Sequence, residues 1–484
     1  MPQTATPMES AQLSLRPLCV DLDGTLVKSD TLVDSLLTLV RTNPLLVLKL
    51  PGKLIRGKAA FKAFVTQSTS LDIAHLPYNK KVLKYLREQH AEGRPLYLAT
   101  GADIALAQSV ADHLGIFQDV LGSHGAINLT GNRKLDGLRS RLGQLDFDYI
   151  GNASPDLPLL AHAKEPMLAN PSLALKIRLR LRGIKPTHEF LERRDFLRSL
   201  VRAVRPHQWA KNTLIFLPVL LSHSIGINRL RSALLAFFCF SLCASATYIV
   251  NDLLDIDSDR RHQKKRSRPF AAGDLYASTG ATISFVLLVF AFGFARLLPL
   301  HFLDWLLLYF GMTLAYSTYL KRVPLVDVLI LSGLYTLRLL GGSAATNTHI
   351  SHWLGSFSVF LFLSLGIAKR FAELQSLNAS SSVPRNGRGY LLTDLNQLQS
   401  FGTSSAFSAV VIFSIYISGP EVSKLYDNPT LLWLIMPFMV LWLSRVWLLA
   451  SRGELNEDPV VFALTDRMSL LIGVAVVIIA LLAI

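Results

Sequence analysis

Cysteine is almost missing from this sequence: Cys19, Cys239 and Cys243 are the only three in 484 residues. The last two stand four apart in an apolar run, a spacing that suits packing on one helix face, so neither a disulfide nor a zinc site is expected. The opening stretch MPQTATPMESAQLSLRP lacks the basic start, apolar core and small-residue cleavage site of an export signal. The N-terminal part is therefore expected in the cytoplasm. Charge is also scarce, at 17% of residues, and 51% of the chain is hydrophobic, which excludes a wholly soluble protein.

The apolar excess is uneven. Residues 1–205 are ordinary mixed sequence, whereas 213–484 hold nearly all the long uncharged runs. About 20 apolar residues in a helix cross the hydrocarbon core of a bilayer. Nine spans are expected, near 209–225, 231–250, 277–297, 300–317, 325–345, 353–368, 403–419, 430–449 and 467–484. The net charge of +15 would suit nucleic acid or an anionic membrane surface, and its arrangement favours the membrane, since basic residues cluster beside the spans and in ALKIRLRLRGIKP, 174–186. That segment reads as an interfacial linker, the other reading being a solvated charge run. No nucleic-acid partner is expected.

Every second connection is basic: Arg260 to Arg268, Lys321 and Arg322, Lys369 with Arg370, Arg385 and Arg388, then Arg452 and Arg467. Short basic loops stay on the cytoplasmic side. With nine spans, this predicts a multi-pass protein of the bacterial inner membrane, its N-terminal part and basic loops cytoplasmic and its C-terminus outside.

Within YIVNDLLDIDSDRRHQKKRSRPFAAGD, 248–274, Asn251, Asp255 and Asp259 recur every four residues and Asp252 stands three before Asp255. On a helix these share a face, where like charges repel unless a cation lies between them. Hard oxygen ligands at this spacing suit magnesium bridged to phosphate, with Lys265, Arg266 and Arg268 meeting further phosphate oxygens. The bland alternative is a solvated helix end, but ionisable groups abutting a span usually have a function.

NDxxDxxxD followed by KRxRP, on nine expected helices, resembles the UbiA superfamily of intramembrane prenyltransferases over about 198–484. RPHQWAKN (205–212), YSTYLKRVPLVD (316–327), AKRFAEL (368–374) and EDPVVFALTDR (457–467) resemble its decaprenyl-phosphate phosphoribosyltransferase branch. That resemblance implies phosphoribosyl diphosphate as donor, a polyprenyl phosphate as acceptor, and Mg2+. It implies Asp252, Asp255, Asp259, Asn251 and Asp327 around the metal, and Gln208, Lys211, Asn212, Lys265, Arg266, Arg268, Tyr316, Lys321, Arg338 and Lys369 around the substrates. For Lys211 and Lys321 the alternative is an interfacial anchor that snorkels. Leu331 stands four after Asp327, so the second DxxxD of the aromatic prenyltransferases is missing.

Near the N-terminus, RPLCVDLDGTL is an apolar strand ending in Asp21 and Asp23, two alternating carboxylates before a glycine turn. One can attack phosphorus while the other protonates a leaving oxygen. DxDGT resembles the first motif of the haloacid dehalogenase superfamily, and the others follow in order: Thr100 in PLYLATGA, Lys134 in GNRKLDGL, and Asn152 and Asp156 in DYIGNASPD. The resemblance implies Asp21, Asp23, Asn152 and Asp156 at a second Mg2+ site, although Asn152 replaces the usual first acid and brings no charge.

The expected architecture has two parts. An α/β Rossmann-like domain at 14–165 carries a helical cap at about 27–92. A basic linker, 166–204, leads to an all-α membrane domain with nine transmembrane helices, 205–484. The expected function is bifunctional: phosphoribosyl transfer to a polyprenyl phosphate, then removal of the 5-phosphate. An aromatic prenyltransferase with a regulatory N-terminal module is the alternative, and a homo-oligomer stays open.

Overall fold

The computed structural model describes residues 16–484 apart from 126, 144, 193–194, 224–225, 379–388 and 456–458. Arg385, Arg388 and the start of EDPVVFALTDR lie outside the described residues. The chain forms two compact units: residues up to Ala203 together with Asp252–Thr282, and Val204–Asn251 together with Ile283–Ile484.

The first unit is built on a six-stranded sheet in the order β3-β2-β1-β4-β5-β6. The strands are β1 (Leu18–Val20), β2 (Leu96–Asp103), β3 (Asp119–Ser123), β4 (Asp148–Gly151), β5 (Pro166–Ala169) and β6 (His188–Phe190), and every pairing is parallel. Parallel strands need cover on both faces, and the side chains of β1 divide accordingly. Leu18 and Val20 pack with Val82, Leu86 and Val110, while Cys19 packs opposite with Leu121, Leu138, Tyr149 and Leu168. Burial also raises the Cys19 thiol pKa, in keeping with a packing role.

Two expectations change here. The basic segment after residue 166 is no linker, because it supplies the buried strand β5 and the more exposed edge strand β6, and the arginine-rich stretch between them forms the helix Leu173–Leu181, with Leu175 and Leu179 buried. The helix Lys80–Ala91, expected within the cap, buries Val82 and Leu86 against the sheet. The other α-helices of the stretch expected as a cap are Thr31–Thr42, Leu50–Ile55 and Lys58–Gln67.

In the second unit, eight of the nine expected spans coincide with helices, the longest being Ile227–Leu254 and His352–Asn378. Among the described residues, six helices are long and apolar enough to cross a membrane, while Arg467–Ala483 is apolar but shorter. Only 17% of the most apolar window of Ala277–Ala295 is buried, as suits a helix facing lipid. The first expected span is not one α-helix: Pro206–Phe216 is 3-10 and Leu217–Leu221 a single α turn. Prolines at the start of each piece interrupt the hydrogen-bond ladder. Close packing relies on small residues, since a Cβ on Gly342 would lie 2.2 Å from the Ile215 carbonyl oxygen.

Candidate functional sites

The strand order reverses at β1, whose neighbours β2 and β4 lead away in opposite directions, and ligands of such sheets bind at the carboxyl ends of the strands at this switch. Asp21 follows β1 directly, Thr100 lies on β2, and Asn152 follows β4. The turn after Asp23 needs Gly24, at φ +77°, where a Cβ would lie 2.0 Å from the Asn152 amide nitrogen and 2.8 Å from the Tyr276 hydroxyl.

Lys134 is the hub of this site. Its buried ammonium donates to Asp21 Oδ1 at 2.7 Å, Tyr149 Oη at 2.6 Å and Asp156 Oδ1 at 3.3 Å, which engages all three of its protons. Burial opposes its charge, but Asp21 and Asp156 outweigh burial and raise its pKa. Burial pushes Asp21 up to about 6 against the pull of Lys134. Burial and then Asp30 push Asp23 up to about 8. The two carboxyls thus differ in the sense that an acid and a nucleophile require. Thr100 is fully buried, and its Oγ1 accepts from Ala102 N at 3.0 Å.

Asp156 does not have the surroundings of a metal ligand. A carboxylate offers about four lone-pair positions, and Asp156 accepts from Lys134, from Tyr149 Oη at 2.8 Å, and from the backbone N–H groups of Asn152 and Ala153 at 3.1 Å each. The Asn152 amide donates to Tyr276 Oη at 3.3 Å. Of the expected magnesium ligands, Asp156 therefore has its oxygens engaged by other donors, whereas Asn152 spends its amide nitrogen on this bond and not the oxygen that would ligate a metal.

The acidic run departs from one continuous helix. Ile227–Leu254 stops before Asp255, whose backbone leaves helical geometry, and Ile256–Arg261 begins a new turn. This bend brings Asp252 Oδ1 and Asp259 Oδ2 to the same nitrogen, Arg268 Nη1, at 3.1 and 2.7 Å. Burial raises the Asp259 pKa and Arg268 opposes that rise. Asp255 Oδ1 lies 3.9 Å from Arg41 Nη1. Among the described residues, no three His, Cys, Asp or Glu side chains converge to hold a metal unaided. The spot between Asp252 and Asp259 is nonetheless built for positive charge, and its oxygen donors fit magnesium carried on a diphosphate. Lys265 and Arg266 are exposed.

In the helical unit, Asp327 is fully buried and accepts from Arg370 Nε at 2.5 Å and from the Tyr390 hydroxyl. Expected as a metal ligand, it forms a buried ion pair instead. Tyr316 Oη accepts from Arg370 Nη2 at 3.0 Å. Arg338 is buried and donates to Asn212 Oδ1 at 2.7 Å and Tyr309 Oη at 3.1 Å, so these expected substrate groups bind one another or neighbouring tyrosines. Lys321 donates to Asn251 Oδ1 at 3.2 Å, and Lys211 Nζ lies 5.9 Å from the centre of the Tyr335 ring. Gln208 is half-buried in the 3-10 segment, and Lys369 is half-buried on His352–Asn378.

Tyr149, Lys62 and Arg370 were not anticipated. Lys62 reaches from the helix Lys58–Gln67 to Gly101 O and Asn128 Oδ1, at 2.5 and 2.8 Å, beside the Thr100 turn. A tyrosine inside an apolar strand and a lysine on an amphipathic helix carry no local signal of such roles. Arg370 lay inside AKRFAEL, where the adjacent Lys369 drew the assignment.

Residues 213–471 match the UbiA prenyltransferase family, more than half of the chain. An uncharacterized protein of Sinorhizobium fredii is 36% identical over 94% of this chain and 89% of its own length. Nodulation protein NoeC of Azorhizobium caulinodans is 32% identical over 55% of this chain and 87% of its own. The decaprenyl-phosphate phosphoribosyltransferase of Mycobacterium tuberculosis is 30% identical over 58% of this chain and 92% of its own. A solved UbiA homolog from Archaeoglobus fulgidus bound to GPP and Mg2+ shares 15% identity, covering 58% of this chain and 96% of its own, with a TM-score of 0.45.

Proposed function

Because this chain belongs to the UbiA prenyltransferase family, and is thus an integral membrane transferase, we propose that it moves 5-phosphoribose from phosphoribosyl diphosphate to a polyprenyl phosphate. The observation that carries this reading is the meeting of Asp252 and Asp259 on one cationic group. The similarity to the decaprenyl-phosphate phosphoribosyltransferase of Mycobacterium tuberculosis, which this chain spans over 92% of its length, supports this choice of donor and acceptor.

A lipid phosphate oxygen is already anionic, so attack on the anomeric carbon needs no strong general base; it needs alignment and stabilisation of the leaving diphosphate. Asp252, Asp259 and the nearby Asp255 would hold magnesium, which neutralises the departing charge. Arg268 would shift from the carboxylates to the phosphate oxygens, a bidentate partner for which a guanidinium is well shaped. Lys211 and Lys321 are the candidates for the sugar phosphate and lipid phosphate. The basic loops, and both sets of acids, lie on the cytoplasmic side in this reading.

The N-terminal unit, in the same reading, is a phosphatase of the haloacid dehalogenase type that removes the 5-phosphate. Asp21 attacks phosphorus as the ribose oxygen leaves with a proton from Asp23, and water, deprotonated by Asp23, then hydrolyses the aspartyl phosphate to release inorganic phosphate; Thr100 meets the phosphoryl oxygens, and Lys134 does so by turning one proton away from its present partners. The raised pKa of Asp23 relative to Asp21 supports this division. No metal step is assigned here.

The test is to incubate purified full-length protein with radiolabelled phosphoribosyl diphosphate, polyprenyl phosphate and magnesium, then separate the lipids. Label in the lipid fraction is expected. Transfer of a prenyl group from an allylic diphosphate to an aromatic acceptor, with no ribosylated lipid, would replace this reading by the aromatic prenyltransferase one.

A further inference from the structure

The segment Asp252–Thr282 carries the acidic run yet lies in one compact unit with the α/β fold. Its attachment is polar and buried. Arg260, adjacent to Asp259, donates from Nη2 to Asp34 Oδ2 at 2.8 Å and Ser29 Oγ at 3.1 Å, with only 4% and 1% of the Arg260 and Asp34 side chains exposed. One helical turn further along Thr31–Thr42, Thr38 Oγ1 donates to Asp257 Oδ2 at 2.6 Å. Arg41 Nη1 then reaches Ser258 Oγ at 3.4 Å and lies 3.9 Å from Asp255 Oδ1. Residues 34, 38 and 41 follow the i, i+4, i+7 spacing of one helix face. That single face meets residues 255–260, where the run bends.

A buried ion pair is a weak source of net stability, because an apolar pair of equal volume often does as well. What it does supply is a fixed register, since Arg260 can satisfy Asp34 and Ser29 together in one placement only. At the bend the Asp255 carbonyl accepts from Asp259 N and Ser258 Oγ, both at 2.8 Å, and the helix Thr31–Thr42 adds side-chain contacts that set where the bent segment lies.

We propose that Asp34 and Thr38, with Arg41 beside them, are positioning residues for a metal–diphosphate site formed by the acidic run. They touch no substrate; they fix where Asp255 and Asp259 stand. The proposal rests on reading the acidic run as a diphosphate site. It makes the helix Thr31–Thr42 of the N-terminal unit a structural part of the transferase chemistry.

The experiment titrates full-length protein in lipid nanodiscs with inorganic pyrophosphate in the presence of Mg2+, by calorimetry. Asp34→Asn keeps the shape and removes the charge, and it should raise the pyrophosphate dissociation constant about 10- to 100-fold, the range seen when residues that orient ligands are altered. Hydrogen exchange across 252–262 should quicken in the same variant. Thr38→Val removes the bond to Asp257, together with the hydroxyl's bond to the Asp34 carbonyl within its own helix, and should shift binding in the same direction; it carries the test where Asp34→Asn does not fold. A lowered melting temperature with unchanged pyrophosphate binding, in either folded variant, overturns the proposal and leaves the diphosphate reading intact. If the wild type binds no magnesium pyrophosphate, the diphosphate reading fails and this proposal falls with it.

Discussion

Asp252 and Asp259, seven positions apart, point a carboxylate oxygen each at the same nitrogen of Arg268, at 3.1 and 2.7 Å. Two buried carboxylates this close repel unless a cation sits with them. Arg268→Gln should therefore lower the melting temperature in EDTA, and added Mg2+ should recover most of the loss by binding the folded state. Thermal unfolding of the purified protein with and without the metal reads this directly. Equal destabilisation under both conditions would mean that magnesium does not take the place of the guanidinium.

Asp259→Ala and Asp255→Ala should each cut lipid ribosylation at least about 100-fold, since they remove charge aimed at the leaving group. Hydrolysis of a small phosphate ester should change little, as that chemistry is assigned to Asp21. Parallel assays on the same preparation separate the two activities. Comparable loss of both in a folded variant would argue against separate sites.

Asp21→Asn preserves size and hydrogen bonding but removes the nucleophile and half of the charge that holds Lys134. This variant should ribosylate lipid at near the normal rate, and its product should keep the 5-phosphate that wild type removes. Mass spectrometry of the extracted lipid distinguishes the two. Identical phosphorylated products from both proteins would show that the N-terminal unit acts on something else.

Asp327→Asn should destabilise the helical unit by less than the about 3–5 kcal/mol that stranding one partner of a buried ion pair costs, because Arg370 then keeps only its pairing with Glu373, at 2.8 Å. The double change Asp327→Leu with Arg370→Met should restore much of the stability. Unfolding in detergent measures both. If Asp327→Asn instead abolishes transfer at unchanged stability, the acid belongs to the reaction.

Much of this molecule was legible because its strongest signals are local. Apolar runs locate the membrane-domain helices, and an apolar strand ending in Asp21 and Asp23 announces the carboxyl edge of a sheet. What escaped depends on distance or on brevity. The pairing of Asp327 with Arg370 spans 43 positions and that of Asp34 with Arg260 spans 226, and neither leaves a periodic trace. Strands β5 and β6, of four and three residues, are too short for alternation to show beside an arginine-rich stretch. Asp156 looked like a ligand because its residue type is right; only its four donors reveal that it is saturated. The bend at Asp255 was invisible in a spacing that fits an unbroken helix equally well.

The interleaving of the two units in sequence also sets an order of events at the ribosome. Ala203 emerges long before Arg260, and the helix Ile227–Leu254 must be made between them. At the usual synthesis rate of about 5–20 residues per second, the interval from Ala203 to Arg260 lasts roughly 3 to 11 s. Throughout that time the nascent α/β fold has Asp34 and Ser29 in place and no guanidinium to meet them. Its last piece arrives only from within the membrane-inserting portion of the chain. Biogenesis of the N-terminal fold is thereby tied to insertion of the helix that precedes its missing segment, and a ribosome stalled before residue 260 would hold an incomplete fold rather than a finished, separable domain.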